Sequence, residues 1–481
     1  MPALENLNPN RVFYYFEKIS SIPHGSGDMD AIAKFCTDFA IEHNLKFIRD
    51  DANNVIIYKN GTVGYENSAP IILQGHLDMV CQKTPESTID FLKDGLDLYV
   101  DGDFIKARDT TLGADNGIAV AMVLSILESQ DVPHPPIEAV FTTDEEVGMI
   151  GARALDMGVL HGKRMINLDS ETEDIVTVSC AGGSDFKVNI PIKSVAKQGT
   201  LVTIEIKGLL GGHSGVEINK NRVNSNIIAG RILNELNTHI PFDIVSINGG
   251  DKANAIPNRC IVTLCTEYAD DIKVFVNNFY YSPLKNELSD REPNLIINTI
   301  VGKKGEYDAW TDEIKKQIIY TLLCAPNGIT EMSASIEGLV QTSLNLGVLM
   351  TTQDSIIIHF SLRSNKNSSL DFLEERLCAF FDNLDLCYET FGHYPAWQYK
   401  TDSALREIYC DTYFEMFGTQ PRVKAIHAGL ECGVFTGNIE GFDCISVGPE
   451  MHDVHTTQER LSISSTQKMY ELIIKILEKL K

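Results

Sequence analysis

The chain has 481 residues, 43% apolar and 22% charged, a globular composition too long for one ordinary core, so two domains are expected. A formal charge of −25, from 41 basic against 66 acidic side chains, disfavours nucleic acid and anionic membranes as partners. No apolar stretch reaches the length of a membrane span, and the first residues lack the basic-then-apolar order of a signal peptide.

Asn8-Pro9 offers a cap and a first-turn proline, and Val12, Phe13, Phe16 and Ile19 follow at helical spacing. A second helix is predicted over about 29–42, then short β-rich runs at 46–49, 55–58 and 71–74 between Asn/Gly turns. Residues 115–127 predict a helix, 137–143 a strand and 164–168 another. Alternation of this kind implies an α/β sheet with helices on both faces, where ligands collect outside the carboxyl ends of the strands. His76, Glu145, Glu146 and Asp169 all fall at that end of their predicted strands.

The character changes after about Gly182. Residues 201–387 read as two rounds of strand and helix, with helices at 223–236, 311–323 and 370–381 and strands at 201–206, 244–247, 261–265, 342–350 and 355–361. α/β character returns with a helix at 403–416, the segment 425–435 and a helix at 466–480. The expected division is a discontinuous α/β domain, 1–182 and 395–481, with an inserted α+β domain at 183–394. That insert is about twice the size one α+β subdomain requires, so it is read as two tandem subdomains. Eleven scattered cysteines without a Cys-x-x-Cys pair favour reduced thiols and a cytoplasmic location.

Glu145-Glu146 carries the most chemistry. Adjacent carboxylates repel and gain nothing from a core, but one can ligate a metal while its neighbour acts as a general base on metal-bound water. A solvated turn is the plain alternative. His76 and Asp78 share one face of a strand end, where the carboxylate can hydrogen-bond the ring of a metal-bound imidazole; a surface His-Asp pair would look the same. Asp115, between Gly113 and Gly117 at a loop-to-helix junction, reads as a ligand or as an N-cap. The glycine-rich stretch 211–215 lacks the Lys-Ser/Thr ending of a phosphate loop, and His-Glu-x-x-His is absent. Several elements each ending in a His or carboxylate, the ligand types of zinc and similar ions, point to a two-metal hydrolase.

Seven strings occur in order: GHLDMV at 75–80, TLGADNGIAVA at 111–121, DEEVGMIGA at 144–152, NLDSE at 167–171, CAGG at 180–183, GGHSG at 211–215 and HAGLECG at 427–433. As a set they resemble the cocatalytic dizinc peptidases, the family of aminoacyl-histidine dipeptidases, carnosinases and glutamate carboxypeptidase-like enzymes, over essentially the whole chain. The resemblance implies a catalytic domain with a mixed sheet flanked by helices, and an inserted α+β lid. It implies two divalent ions, zinc first, with cobalt or manganese accepted by the same donors. Asp115 would bridge them, His76 and Asp169 completing one site and Glu146 and His455 the other. His452 lies in the same short stretch, but the family pattern selects His455, followed here by Thr456-Thr457 where Ser-Pro is commoner. With two dications, three carboxylates and a hydroxide, the formal charges cancel.

Asp78 would orient His76, Glu145 would be the general base, and His213 would steady the oxyanion. Asn254 and Arg363 resemble lid residues that grip a substrate carboxylate, Arg363 by two parallel hydrogen bonds. Glu431 and His427 are candidate substrate contacts. The implied reaction is hydrolysis of unblocked dipeptides, with Xaa-His and β-alanyl-histidine among the candidates, by Glu145-assisted attack of a metal-bridging hydroxide. A tripeptidase, an N-acyl-amino-acid hydrolase and an inactive metal-binding homologue are the alternatives. Expected partners are small peptides, with neither nucleic acid nor membrane. Relatives with one lid subdomain borrow a histidine from a second subunit; two in tandem imply a site complete in one chain, with a homodimer left open.

Overall fold

The computed structural model describes residues 3–279 and 283–481. The chain forms two compact units: Met1–Cys180 with Trp397–Ala425 and Leu430–Lys481, and Ala181–Ala396 with Ile426–Gly429. Among the described residues, no helix is long and apolar enough to cross a membrane.

The first unit is built on an eight-stranded sheet, in the order Lys46–Arg49, Val55–Lys59, Ile137–Thr142, Ile71–His76, Arg164–Asn167, Asp443–Ser446, Ile175–Thr177, Arg422–Lys424. Two of its inner strands, IEAVFT and IILQGH, are buried at every position. Continuous apolar runs of that kind belong to parallel strands covered on both faces. Ile71–His76 does pair in parallel with both Ile137–Thr142 and Arg164–Asn167. Helix Ala114–Glu128 is buried along almost its whole length, as expected of a helix apolar all round. It shares one core with Phe13, Phe16, Leu73, Phe141 and Ile473. A four-stranded antiparallel sheet, Met451–His452, Arg460–Ser462, Phe104–Ala107, Leu98–Asp101, completes the unit.

The second unit is built on a nine-stranded sheet, its main path running Ile296–Trp310, Ser194–Lys207, Cys260–Thr266, Asp243–Gly249, Val340–Thr351, Ser355–Ser364, Gly182–Pro191, Cys387–Tyr394. The two rounds of strand and helix meet at the pairing Gly249↔Leu349 and share one core containing Ile204, Leu233, Ile318, Phe360 and Phe381. At that seam Gly250 has φ +76°, and a Cβ there would run into the carbonyl of Gly347, so glycine is required twice over. The strands Gly182–Pro191 and Ile296–Trp310, unpredicted from sequence, lie one inside the sheet and one at its edge.

Candidate metal centre and associated binding groups

Parallel register sets the site. His76 pairs with Thr142 and Gln74 with Asn167, so three segments leave the sheet side by side. Beyond Thr142 the chain turns at Asp144 (φ 52°), whose carboxylate accepts the Gly27 N–H at 2.6 Å. The next two N–H groups, of Glu145 and Glu146, donate to Asp78 Oδ1 and Oδ2 at 3.0 and 3.2 Å. Ser26 Oγ donates to the same carboxylate at 2.8 Å. Asp78 therefore organises the Glu145-Glu146 turn as well as approaching His76 Nδ1, from which it lies 3.4 Å. The nearer partner of that nitrogen is the Asp78 main-chain carbonyl, at 3.0 Å. With two acceptors on Nδ1, that nitrogen carries the proton, and Nε2 faces Asp115 Oδ1 at 3.1 Å and Asp169 Oδ1 at 3.6 Å.

Asp115 does not cap its helix. Gly113 stands at the cap with φ +66°, and the Asp115 and Asn116 backbones depart from helical geometry. The carboxylate is thereby free to place Oδ1 toward His76 and Oδ2 toward His455 Nε2, the latter at 3.2 Å. Asn116, fully buried, accepts from the His76 N–H at 3.2 Å and donates to the Leu168 carbonyl at 2.8 Å, fixing the strand tip against the segment leading to Asp169. His455 is held at φ +62° and meets Glu146 Oε1 at 2.8 Å. His452 instead packs on Phe104 and pairs with Glu450. Geometry thus gathers His76, Asp115, Glu146, Asp169 and His455.

The electrostatics suit bound cations. Burial opposes a charged His76, yet hydrogen bonds to Asp115, Asp169 and Asp78 outweigh it and hold its pKa well above the usual value. Hydrogen bonds to Asp115 and Glu146 raise His455 to about 11. Burial also works against the Asp115 carboxylate, but His455 and His76 keep it below the usual range. Burial raises Asp169 to about 6. Ligand atoms of His76, Asp115 and Glu146 lie within 4.8 Å of one another. Imidazoles and carboxylates crowded this closely, with the two imidazoles the balancing groups among these residues, fit a pair of divalent metal ions. Glu145 is half-buried beside them; its carboxylate makes no hydrogen bond or ion pair with a described side chain, and burial pushes it well above the usual range.

Glu431 lies elsewhere than expected. It is wholly buried, accepting from Gln74 Nε2 at 2.5 Å and Thr142 Oγ1 at 2.7 Å, while Asn167 Nδ2 donates to Gln74 Oε1 at 2.6 Å. The carboxylate ties three strands together through Gln74 and Thr142, and at zero exposure it offers a substrate no open surface in this structure, though its Oε1 is buried without a hydrogen-bond partner. No periodicity marks this role, nor that of Ser26 or Asn116.

In the second unit His213 and Asn254 are neighbours because Gly212–His213 pairs with Ala255–Ile256. Ser214 N–H also donates to the Asn254 carbonyl at 2.8 Å, and the Asn254 side chain is exposed. His213 Nδ1 accepts from the N–H groups of Gly215 and Val216 at 3.1 and 3.2 Å, which leaves Nε2–H as a donor. Burial, then the Arg363 charge, lowers its pKa to about 4. Arg363 is largely buried, donates to Tyr394 Oη at 3.2 Å, and keeps a buried Nε without a partner. His427 is closed off: Ser343 Oγ sits 2.7 Å from Nε2, and Nδ1 donates to Asn365 Oδ1 at 3.0 Å. Its ring is an anchor for the segment Ile426–Gly429, with both nitrogens used.

A paired-histidine, carboxylate-bridged nest at the carboxyl ends of parallel strands defines a metal-dependent hydrolase. Residues 72–479 match the profile of peptidase family M20/M25/M40, and the chain belongs to that family. It is 36% identical to the cytosol non-specific dipeptidase of Escherichia coli (strain K12), over all of this chain and 99% of that protein. The crystal structure of aminoacylhistidine dipeptidase from Vibrio alginolyticus superposes with a TM-score of 0.88 at 35% identity, covering 99% of this chain and 98% of that one. An aminopeptidase from Bacillus cereus shares the fold at a TM-score of 0.58 and 16% identity, covering 98% and 99% of the two chains.

Proposed function

We propose that the chain is a dipeptidase that hydrolyses unblocked dipeptides, Xaa-His among them, with two divalent ions, zinc first. The observation that carries this reading is Asp115, with one oxygen toward each of two imidazoles, beside a Glu145 whose carboxylate no described side chain engages. The E. coli and Vibrio relatives, both named as dipeptidases, support the substrate class. A cytoplasmic location goes with it, in keeping with the E. coli relative's name.

His76 and Asp169 would hold one ion, Glu146 and His455 the other, with Asp115 between them. When bound, the ions supply Lewis acidity that polarises the scissile carbonyl and acidifies water. Glu145, its carboxyl held well above the usual range by burial, takes the proton from the attacking water as the C–O bond forms. It then delivers that proton to the amine nitrogen as the C–N bond breaks. His213, neutral with Nε2–H outward, is assigned as donor to the tetrahedral oxyanion. Arg363 and Asn254 are assigned to the substrate's carboxylate, which the orphaned Arg363 Nε suits.

The test is a hydrolysis panel on chelator-stripped protein, with zinc, cobalt and manganese restored in turn. Dipeptides should be cleaved only after metal is restored, and tripeptides and acetylated amino acids should be poor substrates. Full activity without metal, or a preference for the longer or blocked substrates, would overturn the reading. A stable monomer obtained by dilution should retain full activity.

A further inference from the structure

Asp115 leaves the N-terminus of helix Ala114–Glu128 without a side-chain cap, so the free amides there must be met from elsewhere. Glu459 meets them. Its Oε2 accepts the N–H groups of Leu112 at 2.7 Å and Gly113 at 3.1 Å, and its Oε1 those of Ala114 at 2.9 Å and Asp115 at 3.4 Å. The residue is 3% exposed. A carboxylate is well placed at a helix N-terminus, but this one comes from a distant part of the chain. It follows His455 by four residues, and the turn between them is closed: Thr456 N–H donates to the Asp453 carbonyl at 3.2 Å, Glu459 N–H to the Thr456 carbonyl at 3.1 Å, and Arg460 pairs with Asp453. The loop that carries one imidazole therefore ends in the group that grips the loop carrying the shared carboxylate.

We propose that Glu459 is a positioning residue for the dinuclear centre, the link that fixes Asp115 relative to His455 and so sets the site shared by Glu146 and His455. This rests on the metal-site reading above. It predicts unequal damage: the ion held by His76 and Asp169 loses the register of Asp115 alone, while the other loses that of Asp115 and His455 together.

Zinc is titrated into stripped wild-type protein, Glu459→Ala, Glu459→Gln and Glu138→Ala, with bound metal read by equilibrium dialysis and melting curves taken with and without zinc. Glu138, 3% exposed, is a matched control: it accepts the N–H groups of His161 and Gly162 at 2.9–3.0 Å away from any proposed ligand. Wild type should take two equivalents. Glu459→Ala should bind one ion about 10–100-fold more weakly, the usual cost of losing an outer partner of a ligand, and the other with a smaller loss, since Asp115 is common to both. Its kcat should fall with KM little changed, and Glu459→Gln, retaining one carbonyl oxygen for the amides, should fall between, which also covers the case in which alanine prevents folding. Glu138→Ala should lower the melting temperature and leave both affinities intact. Wild-type affinity for both zinc ions in both Glu459 variants, or equal zinc loss in Glu138→Ala, would overturn the proposal. Wild-type protein that binds no zinc would bring down the metal-site reading itself.

Discussion

Glu145 and Glu146 are adjacent in sequence and opposite in circumstance, since the Glu146 carboxylate meets His455 at 2.8 Å while that of Glu145 has no described partner. Glu145→Gln should therefore retain bound metal and lose at least about a hundredfold in turnover, read by single-turnover hydrolysis alongside metal analysis. His427 gives a pH signature. Burial, then the charges of Arg363 and His213, lowers it to about 3 from 6.5. The unfolded chain thus binds a proton that the folded one refuses between pH 3 and 6.5, so stability falls as pH drops through that window. The slope contributed should approach about 1.4 kcal/mol per pH unit, and His427→Asn should flatten the melting-temperature profile there. The residues that the structure gathers as candidate ligands were legible because residue type carries their chemistry: a His or acid at the end of an apolar strand has few other reasons to be there. Glu431 and Glu459 were opaque or misread for the converse reason. A carboxylate that accepts from Gln74 and Thr142, or from main-chain amides, is written in the sequence like any surface acid.

Strand order turns those ligands into a site. Ile71–His76 lies between two parallel neighbours, and its Gly75 faces the Asp115 loop so closely that a Cβ would come within 2.5 Å of Asn116 Oδ1 and 2.8 Å of the Ala119 Cβ. Gly75→Ala should cost about 1–3 kcal/mol of stability, the usual range for overpacking, and weaken metal binding by pushing Asp115 from His76; denaturant unfolding and zinc titration read the two effects. The inner strands at 71–76 and 137–142 were visible as apolar runs. Ile296–Trp310 was not, because its middle reads Gly-Lys-Lys-Gly-Glu-Tyr-Asp and is largely exposed at the sheet edge. Polarity on both faces removes the alternation by which a strand announces itself.

At the scale of the whole chain, each unit has its own apolar core. Calorimetry should resolve two transitions, and zinc should raise the temperature of the one belonging to the unit that holds His76, Asp115 and His455, because a ligand stabilises the fold that binds it. A single transition, or equal shifts in both, would contradict that expectation. The division into an α/β part and an inserted α+β part could be read from the sequence, since the change near Gly182 is a change of pattern. The four residues Ile426–Gly429 could not, because their membership of the second unit rests on Ser343 and Asn365 receiving a histidine from far along the chain. That detail bears on how such a gene can be rearranged. Excising 181–396 and rejoining the ends would strand His427 without its seat, just ahead of the helix that begins at Glu431. The insert is threaded into its host a second time, so it cannot be traded between proteins as a simple cassette.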